Sequence, residues 1–131
     1  MIIPSFYPVS KITNFAEFYS NASKYRTTYF LTYMSFKKTE DEKGSLNFAV
    51  VTSKKGVHKR AVKRNRARRR LKYAFMHYIK TAQLPLGIEI QVLFMANRSV
   101  LEADWDDLLT AVQNAMQKVI SRGCSNLEAK L

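Results

Sequence analysis

The sequence predicts an α+β domain: a small, mainly antiparallel sheet packed with helices, with elements in the order α-β-β-α-β-α. Three observations carry this. Apolar spacing changes from helical to alternating near Tyr25, returns to helical from Lys59 to Lys80, and gives way to a short apolar strand from Glu89 to Ala96 before a last helical stretch. The 131 residues suit one domain spanning 1–131, and a hydrophobic fraction of 47% supports a core without help from disulfides. Only 4 Gly and 3 Pro leave little room for linkers.

The elements follow in order. Thr13 or Asn14 is placed to cap a short helix that carries Phe15, Phe18 and Tyr19 on one side and ends near Asn21. Tyr25 to Phe36 reads as one long strand, with Tyr29, Leu31 and Tyr33 on one face and Phe30, Met34 and Phe36 on the other. Lys37 to Ser45 contains Gly44 and reads as a turn, which makes Leu46 to Thr52 the expected hairpin partner of that strand. Ala67, Leu71, Ala74, Phe75 and Tyr78 then form one stripe of a helix from about Lys59 to Lys80, and Leu84-Pro85-Leu86-Gly87 stops it. Beyond the strand Glu89 to Ala96, Ser99 to Asp104 leads into a helix faced by Trp105, Leu108, Leu109, Val112, Ala115, Met116 and Val119. Glu102, Asp104, Asp106 and Asp107 complement its start, and Arg122 is expected beyond its far end. A strand-helix-strand unit is normally a right-handed parallel crossover, but the handedness is left open here.

Charge is the strongest functional signal. From Lys43 to Gly87 there are 13 Lys or Arg and no Asp or Glu, out of 22 basic and 10 acidic residues in all, so the remainder has 9 basic against 10 acidic. Charge confined to one element creates a focused positive potential suited to a polyanion. A soluble helix would mix Glu with Lys for pairing one turn apart, and this one does not. A helix lying on a membrane needs an apolar face free of the core, which is already committed here. Phosphate-binding Gly-rich loops, His-Glu-x-x-His, Cys-x-x-Cys and Gly-x-Ser-x-Gly are all absent. His58 and His77 lie far apart with no Cys nearby, so no metal site and no catalytic side chain is assigned. With one cysteine, Cys124, no signal-peptide pattern and no bilayer-length apolar run, a cytoplasmic protein is expected. Nucleic acid is therefore the expected partner. Phe15, Tyr19, Tyr29 and Tyr33 offer faces for unstacked bases, although at least half of these rings are expected in the core.

Ser53-Lys54-Lys55, followed by Ala61-Val62-Lys63-Arg64-Asn65-Arg66-Ala67-Arg68-Arg69-Arg70-Leu71, resembles the signature of the bacterial ribonuclease P protein family, with its Arg-Asn-Arg motif in a basic helix. The order of elements agrees over nearly the whole chain. The resemblance implies a fold like domain 2 of ribosomal protein S5. It also implies the protein subunit of a ribonucleoprotein endonuclease that removes the 5′ leader of precursor tRNA, with the catalytic centre in the RNA subunit. The implied partners are ribonuclease P RNA and precursor tRNA, without membrane or DNA, and Mg²⁺ is bound mainly by RNA and substrate.

Carried onto this sequence, the resemblance implies RNA contacts by Lys54, Lys55, Arg60, Lys63, Arg64, Asn65, Arg66, Arg68, Arg69, Arg70 and Lys72. It implies a leader-binding cleft of Phe15, Tyr19, Leu31 and Tyr33. Three features depart from the family pattern: the link Gly56-Val57-His58-Lys59-Arg60 is longer and more basic, Tyr19 stands at a frequent phenylalanine position, and Asn97-Arg98 follows the third strand where Arg often comes immediately after Ala. The alternatives are a structural RNA-binding protein of ribosomal type and a DNA-binding regulator.

Overall fold

A computed structural model describes residues 9–10, 15–38, 45–80 and 87–129. The expected cap at Thr13 or Asn14, most of the Lys37 to Ser45 turn and the Leu84 to Leu86 stop lie outside the described residues. The elements are β1 (Val9–Ser10), α1 (Phe15–Asn21), β2 (Ser23–Arg26), β3 (Phe30–Lys38), β4 (Ser45–Val51), α2 (Ala61–Ile79), β5 (Ile88–Ala96), a 3-10 turn (Arg98–Leu101) and α3 (Trp105–Ala129). They form an α+β fold around one mixed sheet in the order β1-β4-β5-β3-β2.

Two expectations about the strands are corrected. The long strand from Tyr25 is two strands, β2 and β3, paired antiparallel from Ser23↔Met34 to Arg26↔Leu31. Thr27 makes the break: its Oγ1 accepts from the Tyr29 and Phe30 amides at 3.3 and 3.2 Å and donates to the Phe30 carbonyl at 3.1 Å, a side-chain turn that competes with the strand. β4 is also not the neighbour of β3. β5 lies between them, antiparallel to β3 from Phe30↔Ala96 to Lys38↔Ile88 and parallel to β4 from Ser45↔Glu89 to Val51↔Met95. The physical reason lies in β5, where Ile88, Ile90, Val92, Leu93, Phe94 and Ala96 are all buried. Five of these line the helix-covered face and Leu93 is buried on the other face under α1, so β5 is the most buried strand and sits in the middle, whereas the less buried β3 and β4 flank it.

One face of the sheet meets α2 and α3. α2 contributes Ala67, Leu71, Ala74, Phe75 and Ile79, and α3 contributes Leu108, Val112, Ala115, Met116 and Val119. Phe75 stacks on Phe48 at 3.7 Å between ring centroids, and Phe94 packs against Phe30 at 4.4 Å. Tyr78 and Leu109 are only half-buried, and Trp105 is exposed, so each stripe is shifted slightly from its expected centre. Arg122 lies within α3, not beyond it, because the helix runs on to Ala129; its guanidinium donates to the Lys24 carbonyl at 3.3 Å. Inside this core the Thr32 hydroxyl is fully buried and has no hydrogen-bond partner among the described residues.

Candidate nucleic-acid interface

Alternation along the strands decides what the other sheet face presents. Leu31, Tyr33 and Ser35 of β3 stand opposite Met95, Leu93 and Gln91 of β5, which stand in turn opposite Val51, Ala49 and Asn47 of β4. These three rows grade from apolar to polar. Among the described residues, only the short α1 covers them: Phe18, 2% exposed, buries against Leu93 among Tyr33, Ala49, Val51 and Met95. Farther along, Ser35 Oγ donates to Gln91 Oε1 and Asn47 Nδ2 donates to Glu89 Oε1, each at 3.1 Å, so the polar rows are already ordered.

Phe18 anchors α1 so that Phe15 and Tyr19 project at the rim, 41% and 39% exposed. Tyr19 meets Tyr33 edge-on at 5.2 Å, and Phe15 lies 6.3 Å from Tyr19. Burial, with the neighbouring Tyr33 adding to it, raises the Tyr19 phenol above its ordinary pKa of 10.0, so the ring stays neutral at physiological pH. Lys24 places its Nζ 5.5 Å from the Tyr33 centroid, an attractive cation-π position that the sequence reading missed. The structure thus brings Phe15, Tyr19 and Tyr33 into one aromatic cluster. Leu31 joins from two residues along the same strand face.

The apolar rows end at Val51, where the chain enters the loop to α2. Ser53 shapes this loop by accepting the Gly56 amide on Oγ at 2.8 Å and the Val57 amide on its carbonyl at 3.0 Å. A Cβ at position 56 would lie 2.7 Å from Ser53 Oγ, which accounts for the glycine. Val57 is fully buried and pins the loop to the core. The longer link is therefore a built turn, and it leaves Lys54 and Lys55 exposed.

The basic side chains of α2 divide into two groups. Arg64 turns back to donate to the His58 and Lys59 carbonyls at 3.2 and 2.6 Å, tying the loop to the helix. Arg70 donates to the Val100 and Ala103 carbonyls at 2.6 and 2.5 Å, holding the segment before α3. Arg68 reaches Thr52 Oγ1 at 2.9 Å and Asn65 Oδ1 at 3.1 Å, which fixes it beside the end of the cleft. Arg66, Arg69 and Lys72 are exposed along the helix, Lys63 is half-buried, and Arg60 is exposed at the N-cap position.

Arg98, which stands out in the sequence only as a departure from the family pattern, gains a place in the structure. Its Nε donates to the Val57 carbonyl at 3.2 Å, and the residue lines two surface hollows. One, of about 580 Å³, is lined by Lys54, Lys55, Lys59 and Arg98; the other, of about 350 Å³, by His58, Lys63, Arg66, Arg98, Leu101 and Glu102. Arg98 is 41 residues from Val57, so no local pattern announces the pairing. Among the described residues, no group of three or more His, Cys, Asp or Glu is placed to hold a metal ion, and no helix is long and apolar enough to cross a membrane.

The arrangement presents polyanion-binding chemistry next to an open aromatic surface. Comparison with known proteins points the same way. The family model described as Ribonuclease P matches residues 3–120. No curated protein sequence matches the chain. Among solved structures, the ribonuclease P protein from Thermotoga maritima is similar with a TM-score of 0.59 at 16% identity, over 83% of this chain and 96% of that one. The ribonuclease P protein of Staphylococcus aureus gives 0.56 at 20% identity, over 84% and 96%. At these identities the structural likeness speaks to the fold, and the family match carries the assignment.

Proposed function

Since the chain belongs to the ribonuclease P family and is thereby the protein subunit of the ribonucleoprotein that removes the 5′ leader of precursor tRNA, we propose how its two surfaces share the work. The cationic surface binds the catalytic RNA. Lys54, Lys55, Arg60, Lys63, Arg66, Arg68, Arg69 and Lys72 neutralise phosphates, while Arg64, Asn65 and Arg70 act mainly by positioning: Arg64 sets the loop, Asn65 orients Arg68, and Arg70 sets the helix against its neighbour. The single-stranded leader lies across the open sheet face, with bases against Phe15, Tyr19 and Tyr33 and the apolar floor at Leu31.

The carrying observation is continuity: the apolar rows end at Val51, one residue before the Thr52 hydroxyl that holds Arg68. A strand leaving the cleft meets Arg68, Lys54 and Lys55 within a few residues of chain. The protein residues on this path bind, orient and exclude water; bond cleavage is assigned to the RNA subunit, with Mg²⁺ held by the RNA and the substrate. The setting is the cytoplasm, and the polyanion is RNA rather than DNA.

The test compares equilibrium binding to ribonuclease P RNA across salt and, in the reconstituted complex, to precursor and mature tRNA. Neutralising about six phosphates gives a log-log salt slope of about −4 to −5. Phe15→Ala or Tyr33→Ala is expected to weaken precursor binding by roughly 1–3 kcal/mol and leave mature tRNA unaffected. A slope shallower than about −2, or equal losses for both tRNAs, would overturn the scheme.

A further inference from the structure

The described residues include six large hydrophobic side chains that are well exposed: Phe15, Tyr19, Val62, Tyr73, Met76 and Trp105. Two belong to the cleft. Three others lie on α2, and their placement on that helix is not scattered. At about 100° per residue, Val62, Arg69, Tyr73 and Met76 fall within an arc of roughly 60°, opposite the stripe of Ala67, Leu71 and Phe75 that faces the core. This is the outermost crest of the basic helix, where packing gives no reason for apolar side chains. Tyr73 is the most informative of them. It is 60% exposed, with Arg69 one turn before it, His77 one turn after it and Arg66 two turns before.

A single exposed tyrosine is ordinary, so the surroundings must decide what covers it. Between Ala61 and Ile79 there are seven Lys or Arg and no acid, so two copies of this helix repel and an acid-free partner of the same sign is excluded. A lipid surface takes up a continuous apolar face, whereas here Arg69 interrupts the crest between Val62 and Tyr73. The partner that is anionic and also offers flat apolar surfaces at intervals is RNA with unpaired bases.

We propose that Tyr73 is a base-stacking platform for an unpaired nucleobase of the RNA bound by α2, with Met76 widening the surface and Arg66 and Arg69 holding the flanking phosphates. This rests on the reading of α2 as the RNA-binding helix. It adds to it a contact that depends on an aromatic ring rather than on charge. α2 then recognises a place where the RNA is unpaired, and not only a density of phosphate.

The full chain is titrated with ribonuclease P RNA at several salt concentrations, as wild type, Tyr73→Ala, Tyr73→Phe and Arg69→Ala. Tyr73→Ala is expected to weaken binding at least about fivefold at every salt concentration with the slope unchanged, and Tyr73→Phe to stay close to wild type. Arg69→Ala is expected to flatten the slope. The exposure of Tyr73 means both substitutions leave the thermal midpoint where it was, which is checked on the same samples. Wild-type affinity for Tyr73→Ala, or an equal loss in Tyr73→Phe, overturns the stacking contact while leaving α2 as an RNA-binding helix. A wild-type protein whose binding ignores salt overturns both.

Discussion

Phe18→Ala separates the cleft from the rest of the molecule. Phe18 is 2% exposed and, with Leu93, forms a small buried cluster distinct from the main core. A Phe→Ala change in a packed core costs about 3–5 kcal/mol. Here the loss is capped, because α1 has 7 residues and is too short to stay helical by itself. Without Phe18, α1 retains mainly the edge contact of Tyr19 on Tyr33, worth about 0.5–1.5 kcal/mol, against an ordering cost of about 1–2 kcal/mol for each backbone residue. α1 is therefore expected to leave the sheet while the core under α2 and α3 persists. Denaturant unfolding should show a global loss below about 3 kcal/mol, and amide exchange should accelerate selectively along α1. Discrimination between leadered and mature tRNA should fall at least about tenfold, with ribonuclease P RNA binding preserved. A full loss of about 3–5 kcal/mol with leader discrimination intact would refute the view that Phe18 serves the cleft.

Three further outcomes are expected. Thr32→Val, which removes a buried hydroxyl without a partner, should stabilise the fold by about 1 kcal/mol in urea unfolding, and destabilisation would contradict this. Arg70→Ala should cost about 2 kcal/mol of stability through its two backbone carbonyls and leave the salt slope of RNA binding unchanged, whereas Arg69→Ala should lower that slope by about 0.7–0.9 and leave stability unchanged. Because the Tyr19 pKa is raised above 10.0, docking of the neutral phenol is fully stabilising below that value and is lost as pH rises through the higher folded value. Leader binding should therefore show no Tyr19-dependent change between pH 6 and 9, roughly, when wild type and Tyr19→Phe are compared.

Local pattern made the helices legible. The stripe at Ala67, Leu71, Ala74 and Phe75 located α2 to within two residues at its start, and the acid-free run identified its charged exterior. Strand neighbours were not legible, because β3 and β4 each show a half-buried pattern that fits any partner; the pairing of β5 with both of them settles which strand is central. The break at Thr27 was hidden because threonine favours strands by propensity and turns by its hydroxyl. Among the basic residues, helical periodicity gave direction but not reach. Arg64 and Arg70 carry long side chains that fold back onto carbonyls at positions 58, 59, 100 and 103, and nothing in α2 itself encodes those partners. Lys24 was missed, and Arg98 was noted only as a departure from the family pattern, for the complementary reason: each is an isolated cation in sequence and gains meaning only where the fold brings it against Val57 or Tyr33.

This chain works as the protein half of a tRNA-processing ribonucleoprotein. The most direct test mixes the purified protein with the ribonuclease P RNA from the same source at low Mg²⁺ and follows cleavage of a 5′-leadered precursor tRNA, beside RNA-alone and protein-alone controls. Cleavage at the leader junction only when both are present is the predicted result. Tight RNA binding with no stimulation of cleavage would contradict it and would make the chain a structural RNA-binding protein.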